Sequence, residues 1–297
     1  MLQFRIRRCL VFIRRRSLIL AIAFAVAAAL LTVAPVRAKR IETGFLDRTV
    51  TVASVQYKYQ VFVPDNWTLK KKWPVILFLH GAGERGDDGL IQTEVGISTA
   101  IRRDRSRVPA IVVMPQCRKD VWWTDSAMGD VAMAALEQVQ KEFHGDSHRI
   151  YLTGLSMGGY GTWYLAGKYP GKFAAIAPIC GGILMPDKAR AQSPDDQSPY
   201  LEAAKRIGKT PVWIFHGGDD PVVPASESRR MAEAMKTVIG QDAVHAHPQA
   251  TIADLAEVIY TEYPGVGHNS WNNAYAEPDV FSWLLGKFLL KKGDMLL

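Results

Sequence analysis

Four stretches of this chain are apolar almost without interruption over the length of a strand, and each runs straight into a loop of small or polar residues. They are Pro74 to His80 before Gly81-Ala82-Gly83, Arg149 to Leu155 before Ser156, Pro211 to His216 before Gly217-Gly218-Asp219-Asp220, and Val258 to Tyr263 before Pro264-Gly265-Val266-Gly267-His268. Strands of that kind are buried on both faces, which requires a parallel sheet covered by helices. Ala110 to Met114 and Phe173 to Ile179 read the same way. Between them, Met128 to Phe143 has helical spacing, with Val131, Ala134, Leu136, Val139 and Phe143 as the expected buried stripe. Ser226 to Ile239 and Pro278 to Leu290 are the next two expected helices. Upstream, Arg48 to Val52 and Tyr57 to Val63 alternate polar and apolar residues, as antiparallel edge strands do. The expectation is an α/β fold with a mostly parallel central sheet, helices on both faces and antiparallel N-terminal edge strands.

Charge is distributed unevenly. The net charge of +7 resides in residues 1–38, where seven arginines and no acid occur, and the rest of the chain carries equal numbers of basic and acidic groups. The folded part therefore has no basic surplus for a nucleic-acid partner. Residues 1–38 read as an export signal: an arginine-rich start, an apolar stretch from Leu18 to Val33, and Val36-Arg37-Ala38 as a small-residue cleavage site. Uncleaved, the same segment would be a membrane anchor. Residues 39–297 are then one domain, exported to the periplasm or beyond, since 48% hydrophobic residues suit one large core better than two small ones. Cys117 and Cys180 follow strands that are not neighbours in such a sheet, so no disulfide between them is expected.

The loops carry the candidate chemistry. Gly154-Leu155-Ser156-Met157-Gly158 lies between a strand and a helical segment, the setting of a nucleophile elbow. Ser156 is the expected nucleophile. An oxyanion formed by its attack needs two donors, assigned to the backbone N–H of Met157 and of Ala82, with Gly83 as the fallback. His268, in a glycine-containing loop, is the expected base. His80 and His216, at the ends of buried strands, are expected to be structural, and His144 and His148 lie in a polar connection. Asp220 is favoured over Asp219 as the acid because Pro221-Val222-Val223-Pro224 holds its backbone rigid. Trp122, Trp123 and Trp271 are expected to wall the substrate. Glu84 and Arg85 are read as loop staples. Gly182 to Lys209 and Gly240 to Glu257 are polar insertions expected to cover the site. His245-x-His247 lacks a third ligand and is read as a solvated loop, so no metal is expected.

Leu79 to Gly86, Gly154 to Trp163 and Tyr263 to Trp271 together resemble the phospholipase/carboxylesterase-like branch of the α/β-hydrolases, whose members include dienelactone-hydrolase-like and prolyl-oligopeptidase-like proteins, polyhydroxybutyrate-depolymerase-like proteins and feruloyl-type esterases. The likeness spans Tyr57 to Leu290. It implies a Ser156, Asp220, His268 triad, hydrolysis of a small-molecule or polysaccharide-linked ester through an acyl-enzyme, and no cofactor. A peptidase, an acyltransferase and a non-catalytic ligand-binding protein are the alternatives.

Overall fold

The computed structural model describes residues 42–191, 193, 195–243 and 257–289. From Thr43 onward they belong to one compact unit. Residues 1–38, read from the sequence as an export signal, and the His245-x-His247 pair lie outside the described residues.

Eight strands form one sheet: β1 (Gly44–Val52), β2 (Val55–Val63), β3 (Trp73–Leu79), β4 (Ile111–Pro115), β5 (Gly145–Leu155), β6 (Ala175–Ile179), β7 (Val212–Gly217) and β8 (Val258–Tyr263). Their spatial order is β1-β2-β4-β3-β5-β6-β7-β8. β2 pairs antiparallel with β1 and with β4, and every pair from β4 to β8 is parallel. All residues of β3, β4 and β6 are buried, as uninterrupted apolarity requires. β4 and β6 are separated by β3 and β5, and the Cys117 and Cys180 thiols are both free and buried.

Eight α-helices are described: α1 (Ile97–Arg103), α2 (Ser126–Glu142), α3 (Met157–Lys168), α4 (Pro186–Ala191), α5 (Ser198–Ile207), α6 (Ser226–Ala243), α7 (Trp271–Ala274) and α8 (Val280–Leu285). Side chains alternate across a strand, and the core divides accordingly. Val75, Leu77 and Leu79 of β3 pack with Val131, Leu136 and Val139 of α2, Trp163 of α3 and Met231 and Met235 of α6. Ile76 and Phe78 face the other layer, with Ile97 and Ile101 of α1 and Phe281 and Leu284 of α8.

Three expectations need correction. The buried face of α2 includes Ala132 and Ala135, whereas Ala134 is only half-buried. α8 stops at Leu285 instead of Leu290: Gly286, a poor helix former, follows, and the Leu289 N–H donates to His148 O at 2.9 Å. The polar insertion after β6 contains a packed element: α5 buries Tyr200, Ala203, Ala204 and Ile207 against α3 and α6.

At the carboxyl ends of the central strands the backbones come into direct contact. A Cβ on Gly158 would lie 1.9 Å from Leu79 O, and one on Gly154 would lie 2.3 Å from Gly158 O. These glycines therefore permit the helix to start flush against the ends of β3 and β5. Gly158→Ala is expected to destabilise the protein by about 3 kcal/mol or more through forced backbone displacement. Gly83→Ala, where a Cβ would meet nothing within 4 Å, is expected to be nearly neutral; urea unfolding of both variants checks the contrast.

Candidate active site

Ser156 sits between β5 and α3 with φ 53° and ψ −119°, a backbone conformation that L-residues rarely adopt. Its own N–H donates to Ile179 O at 2.9 Å, while its carbonyl accepts the Gly159 N–H at 2.8 Å. Tied on both sides, the residue is held in the strained turn at the N-terminus of α3. The first N–H groups of a helix have no intrahelical acceptor, and Met157 is the first residue of this one.

The Ser156 hydroxyl lies 2.8 Å from Nε2 of His268. Nδ1 of His268 lies 2.7 Å from Oδ2 of Asp220. A carboxylate only accepts, so Nδ1 carries the proton and Nε2 is the bare nitrogen that receives the serine O–H. Burial would push the Asp220 carboxyl up, but hydrogen bonds from His216 and His268 and from the Val223 and Val222 N–H groups outweigh it and hold the group well below the usual carboxylate range. The two N–H groups reach Oδ1 at 2.8 Å from Val222 and 2.9 Å from Val223. The choice between the adjacent acids is structural: the side chain of Asp220 is fully buried, and Asp219 is exposed.

The loops that carry Asp220 and His268 meet through Gly217. A Cβ there would lie 2.2 Å from Gly267 O and 2.4 Å from Val266 O. Hydrogen bonds from Gly218 N–H to Tyr263 O at 2.9 Å and from Asp219 N–H to Val266 O at 3.0 Å extend the contact. Asp220 and His268 thus approach because their loops are joined backbone to backbone.

The loop after β3 is organised by His80, which is fully buried. Its Nε2 accepts the Cys117 N–H at 2.9 Å, which leaves the proton on Nδ1, donated to Gly81 O at 2.6 Å. Within a trans peptide the C=O and the following N–H point in opposite directions. Fixing the Gly81 carbonyl on the ring therefore turns the Ala82 N–H away from it, and Arg85 holds the Ala82 carbonyl at 3.0 Å. The staple reading of Arg85 agrees with that bond. A Cβ on Gly81 would lie 3.7 Å from Ser156 Cβ, so this loop borders the serine.

The aromatic wall is smaller than expected. Trp123 is fully buried, its indole N–H donating to His80 O at 3.0 Å, so it supports the loop from beneath and faces no substrate. Trp122 and Trp271 are half-buried. Trp122 packs edge-on against Tyr160, one turn beyond Ser156, and Trp271 packs edge-on against His268 with centroids 5.6 Å apart. Two further residues matter: His216, which the sequence reading took as structural, and Glu227, which it did not assign. His216 contacts Asp220, and its position four residues before that acid at a strand end was the available signal. The buried Glu227 carboxylate accepts the Ile183 and Leu184 N–H groups at 2.9 and 3.0 Å and the Tyr200 hydroxyl; a single acid in the first turn of a helix carries no comparable signal.

Cys180, Asp220 and His268 place ligand-type atoms within 4.8 Å of one another. Asp220 and His268 are already bonded to each other, and burial pushes the Cys180 thiol up, so it offers no thiolate. The trio does not fit a metal. Among the described residues no helix is long and apolar enough to cross a membrane.

The sheet order and a serine at the strand-to-helix turn make this an α/β-hydrolase fold. Residues 53–272 match the family model described as "Putative esterase", and the chain belongs to that family. It is 27% identical over 174 residues to a bifunctional acetylxylan esterase/xylanase of Neocallimastix patriciarum, covering 55% of this chain and 21% of that protein. It is 25% identical over 182 residues to a probable feruloyl esterase C of Aspergillus niger, covering 59% of each. The chain thus spans at most about three fifths of the length of these two relatives. A solved thermostable esterase superposes with a TM-score of 0.65 at 30% identity, covering 82% of this chain and 63% of that one.

Burial pushes the His80 imidazole down to about 4, against ~6.5 in an unfolded chain. Between those values the unfolded chain binds more protons, so this contribution is complete above about pH 6.5 and is lost as pH falls toward about 4. Wild type is expected to lose roughly 2–3 kcal/mol from this source between pH 7 and about 4.5. Urea unfolding at the two pH values should give a distinctly shallower loss in His80→Gln.

Proposed function

We propose that the protein is an exported serine hydrolase that cleaves carboxylic esters through an acyl-enzyme on Ser156. The observation that carries this reading is the unbroken chain of hydrogen bonds from Ser156 Oγ through His268 to Asp220, 2.8 and 2.7 Å long, at the end of the sheet where the oxyanion loop also lies. Membership of the esterase family supports the same bond type.

In the first half-reaction Ser156 Oγ attacks the ester carbonyl carbon while His268 Nε2 takes the hydroxyl proton. Asp220, kept ionised by its four hydrogen-bond donors, stabilises the imidazolium that forms. The N–H groups of Ala82 and Met157 receive the developing oxyanion. Collapse of the tetrahedral intermediate breaks the bond to the alcohol oxygen, which leaves with the proton from His268. Water, deprotonated by the same nitrogen, then attacks the acyl carbon, and collapse returns the proton to Ser156 as the acid departs.

The substrate is a small-molecule or polysaccharide-linked ester. Supporting this are the acetylxylan and feruloyl esterases among the relatives and the half-buried Trp122 and Trp271, which offer flat apolar faces to an aromatic acyl group or a sugar. The arginine-rich start and apolar stretch of residues 1–38 support export.

Steady-state hydrolysis of p-nitrophenyl acetate, methyl ferulate and acetylated xylo-oligosaccharides tests the reading. Ser156→Ala is expected to lower kcat by at least about 10⁴-fold with the fold retained, and Asp220→Asn by roughly 10³- to 10⁴-fold. Asp219→Asn should remain within about threefold of wild type, since an exposed side chain outside the hydrogen-bonded chain contributes little. Turnover surviving in Ser156→Ala, or a larger loss at Asp219 than at Asp220, would sink the assignment.

A further inference from the structure

His216, in β7, is completely buried and has both ring nitrogens engaged. Nε2 lies 3.0 Å from Val223 O and 3.2 Å from Oδ2 of Asp220. Nδ1 lies 2.6 Å from Oγ of Ser228, in the first turn of α6. Carbonyl and carboxylate oxygens only accept, so the proton is on Nε2, shared between them, and Ser228 donates its O–H to Nδ1. The two oxygens therefore select the tautomer of this ring, and the serine satisfies its other nitrogen.

Oδ2 of Asp220 then receives two imidazole N–H groups, from His268 at 2.7 Å and from His216 at 3.2 Å. Oδ1 is held by two backbone N–H groups. Anchored at Oδ1 alone, a carboxylate can still rotate about its Cβ–Cγ bond. A donor in the sheet fixes its plane. A second donor on the same oxygen also takes part of its charge, which weakens its pull on the first.

Resting on the triad reading above, we propose that His216 is a positioning residue: held at Nδ1 by Ser228, its Nε2–H fixes Oδ2 of Asp220 and moderates how strongly that oxygen holds the proton on His268. The hydrogen-bonded chain therefore runs through five side chains, Ser156, His268, Asp220, His216 and Ser228.

The other titratable groups nearby do not change charge near neutral pH. Cys180 and Tyr160 face Asp220, and burial pushes the thiol and the phenol up. Glu262, on β8, faces His216 and is held below the usual carboxylate range by its hydrogen bonds from Arg229, at 2.8 and 2.6 Å. Removing the His216 donor leaves the Asp220 charge concentrated on the bond to His268. The pair then binds its proton more tightly, and the acid limb of the kcat/KM profile moves to higher pH.

The test compares His216→Phe, His216→Gln and Ser228→Ala on p-nitrophenyl acetate across pH, with Ser156→Ala as control, and records the downfield proton resonance of His268 Nδ1–H in each. Phe fills the space without a donor; Gln places an amide N–H near the position of Nε2. For His216→Phe we expect kcat to fall between about 10- and 100-fold, the loss of one hydrogen bond to a charged group, with KM little changed. Its acid limb should shift upward by several tenths of a pH unit or more, and the resonance should move. Gln should recover most of the activity and return the limb toward wild type. Ser228→Ala removes the donor that holds Nδ1 without removing the ring and should lie between wild type and Phe. Wild-type limb and resonance in His216→Phe, or Gln no better than Phe, would reduce His216 to a structural core residue and overturn the proposal alone. Should the Phe variant fail to fold, Ser228→Ala, which deletes one hydroxyl, decides: a shifted limb and resonance support the proposal and unchanged ones overturn it. Activity surviving in Ser156→Ala would remove the triad reading and this proposal with it.

Discussion

Everything at the site depends on carbonyl oxygens pressed onto glycines at one edge of the sheet. Parallel strands deliver all their carboxyl ends to the same edge, but that alone brings loops only into the same neighbourhood. Contacts of Leu79 O with Gly158 and of the Val266 and Gly267 carbonyls with Gly217 leave no room for a Cβ. They set the separation of backbones directly. Asp220 is three residues from one such contact and His268 is one residue from it, so their 2.7 Å hydrogen bond is fixed by main chain more than by the reach of two flexible side chains. Geometry held this way costs little to assemble when substrate arrives, which is how positioning contributes to rate.

Within that frame two buried histidines act as polar pins. His80, just after β3, and His216, near the end of β7, are separated by two strands in the sheet but act in equivalent ways: each has both nitrogens satisfied, and each spends its N–H on a group that the proposed chemistry needs held still. For His80 that group is the Gly81 carbonyl; for His216 it is the Asp220 carboxylate. A buried polar group without partners destabilises a fold, so satisfying both nitrogens makes burial tolerable, and burial in turn keeps water from competing for the pinned group. The same arrangement ties acid stability to the site, because protonating His80 would cost the acceptor that the Cys117 N–H uses.

Much of this was legible in the sequence because it depends on patterns with short range. Uninterrupted apolar runs such as Pro74 to His80, which became β3 (Trp73–Leu79), identified the buried strands to within a few residues, and Gly154-x-Ser156-x-Gly158 identified the turn because a steric requirement leaves small residues behind. Asp220 was separable from Asp219 through the rigid prolines that follow it. What escaped was long-range or directional. Adjacent tryptophans look alike in sequence, yet Trp123 turns inward to His80 and Trp122 outward onto Tyr160, a choice made by neighbours more than forty positions upstream in one case and 38 positions downstream in the other. The packing of α5 was hidden by its polar flanks, and its amphipathic face, Tyr200, Ala203, Ala204 and Ile207, emerges only when the segment is separated from them. His216 was read as structural since a buried strand-end histidine gives no sign of which acceptor it faces.

The division between these two kinds of feature bears on how the site can vary. Ser156, His268 and Asp220 are positioned by backbone contacts where any added carbon collides. The surfaces that would meet a substrate are set differently: Trp122 by its packing on Tyr160, Trp271 by its packing beside His268, and the loop after β6 by the Glu227 carboxylate, which accepts the Ile183 and Leu184 N–H groups. The edge-on contacts of Trp122 and Trp271 tolerate substitution at a cost of order 1 kcal/mol, whereas the buried Glu227 network and the carbonyl-to-glycine contacts do not. Changes in selectivity are therefore open at Trp122 and Trp271 at small cost to stability, while the proposed reaction at Ser156 stays tied to the sheet.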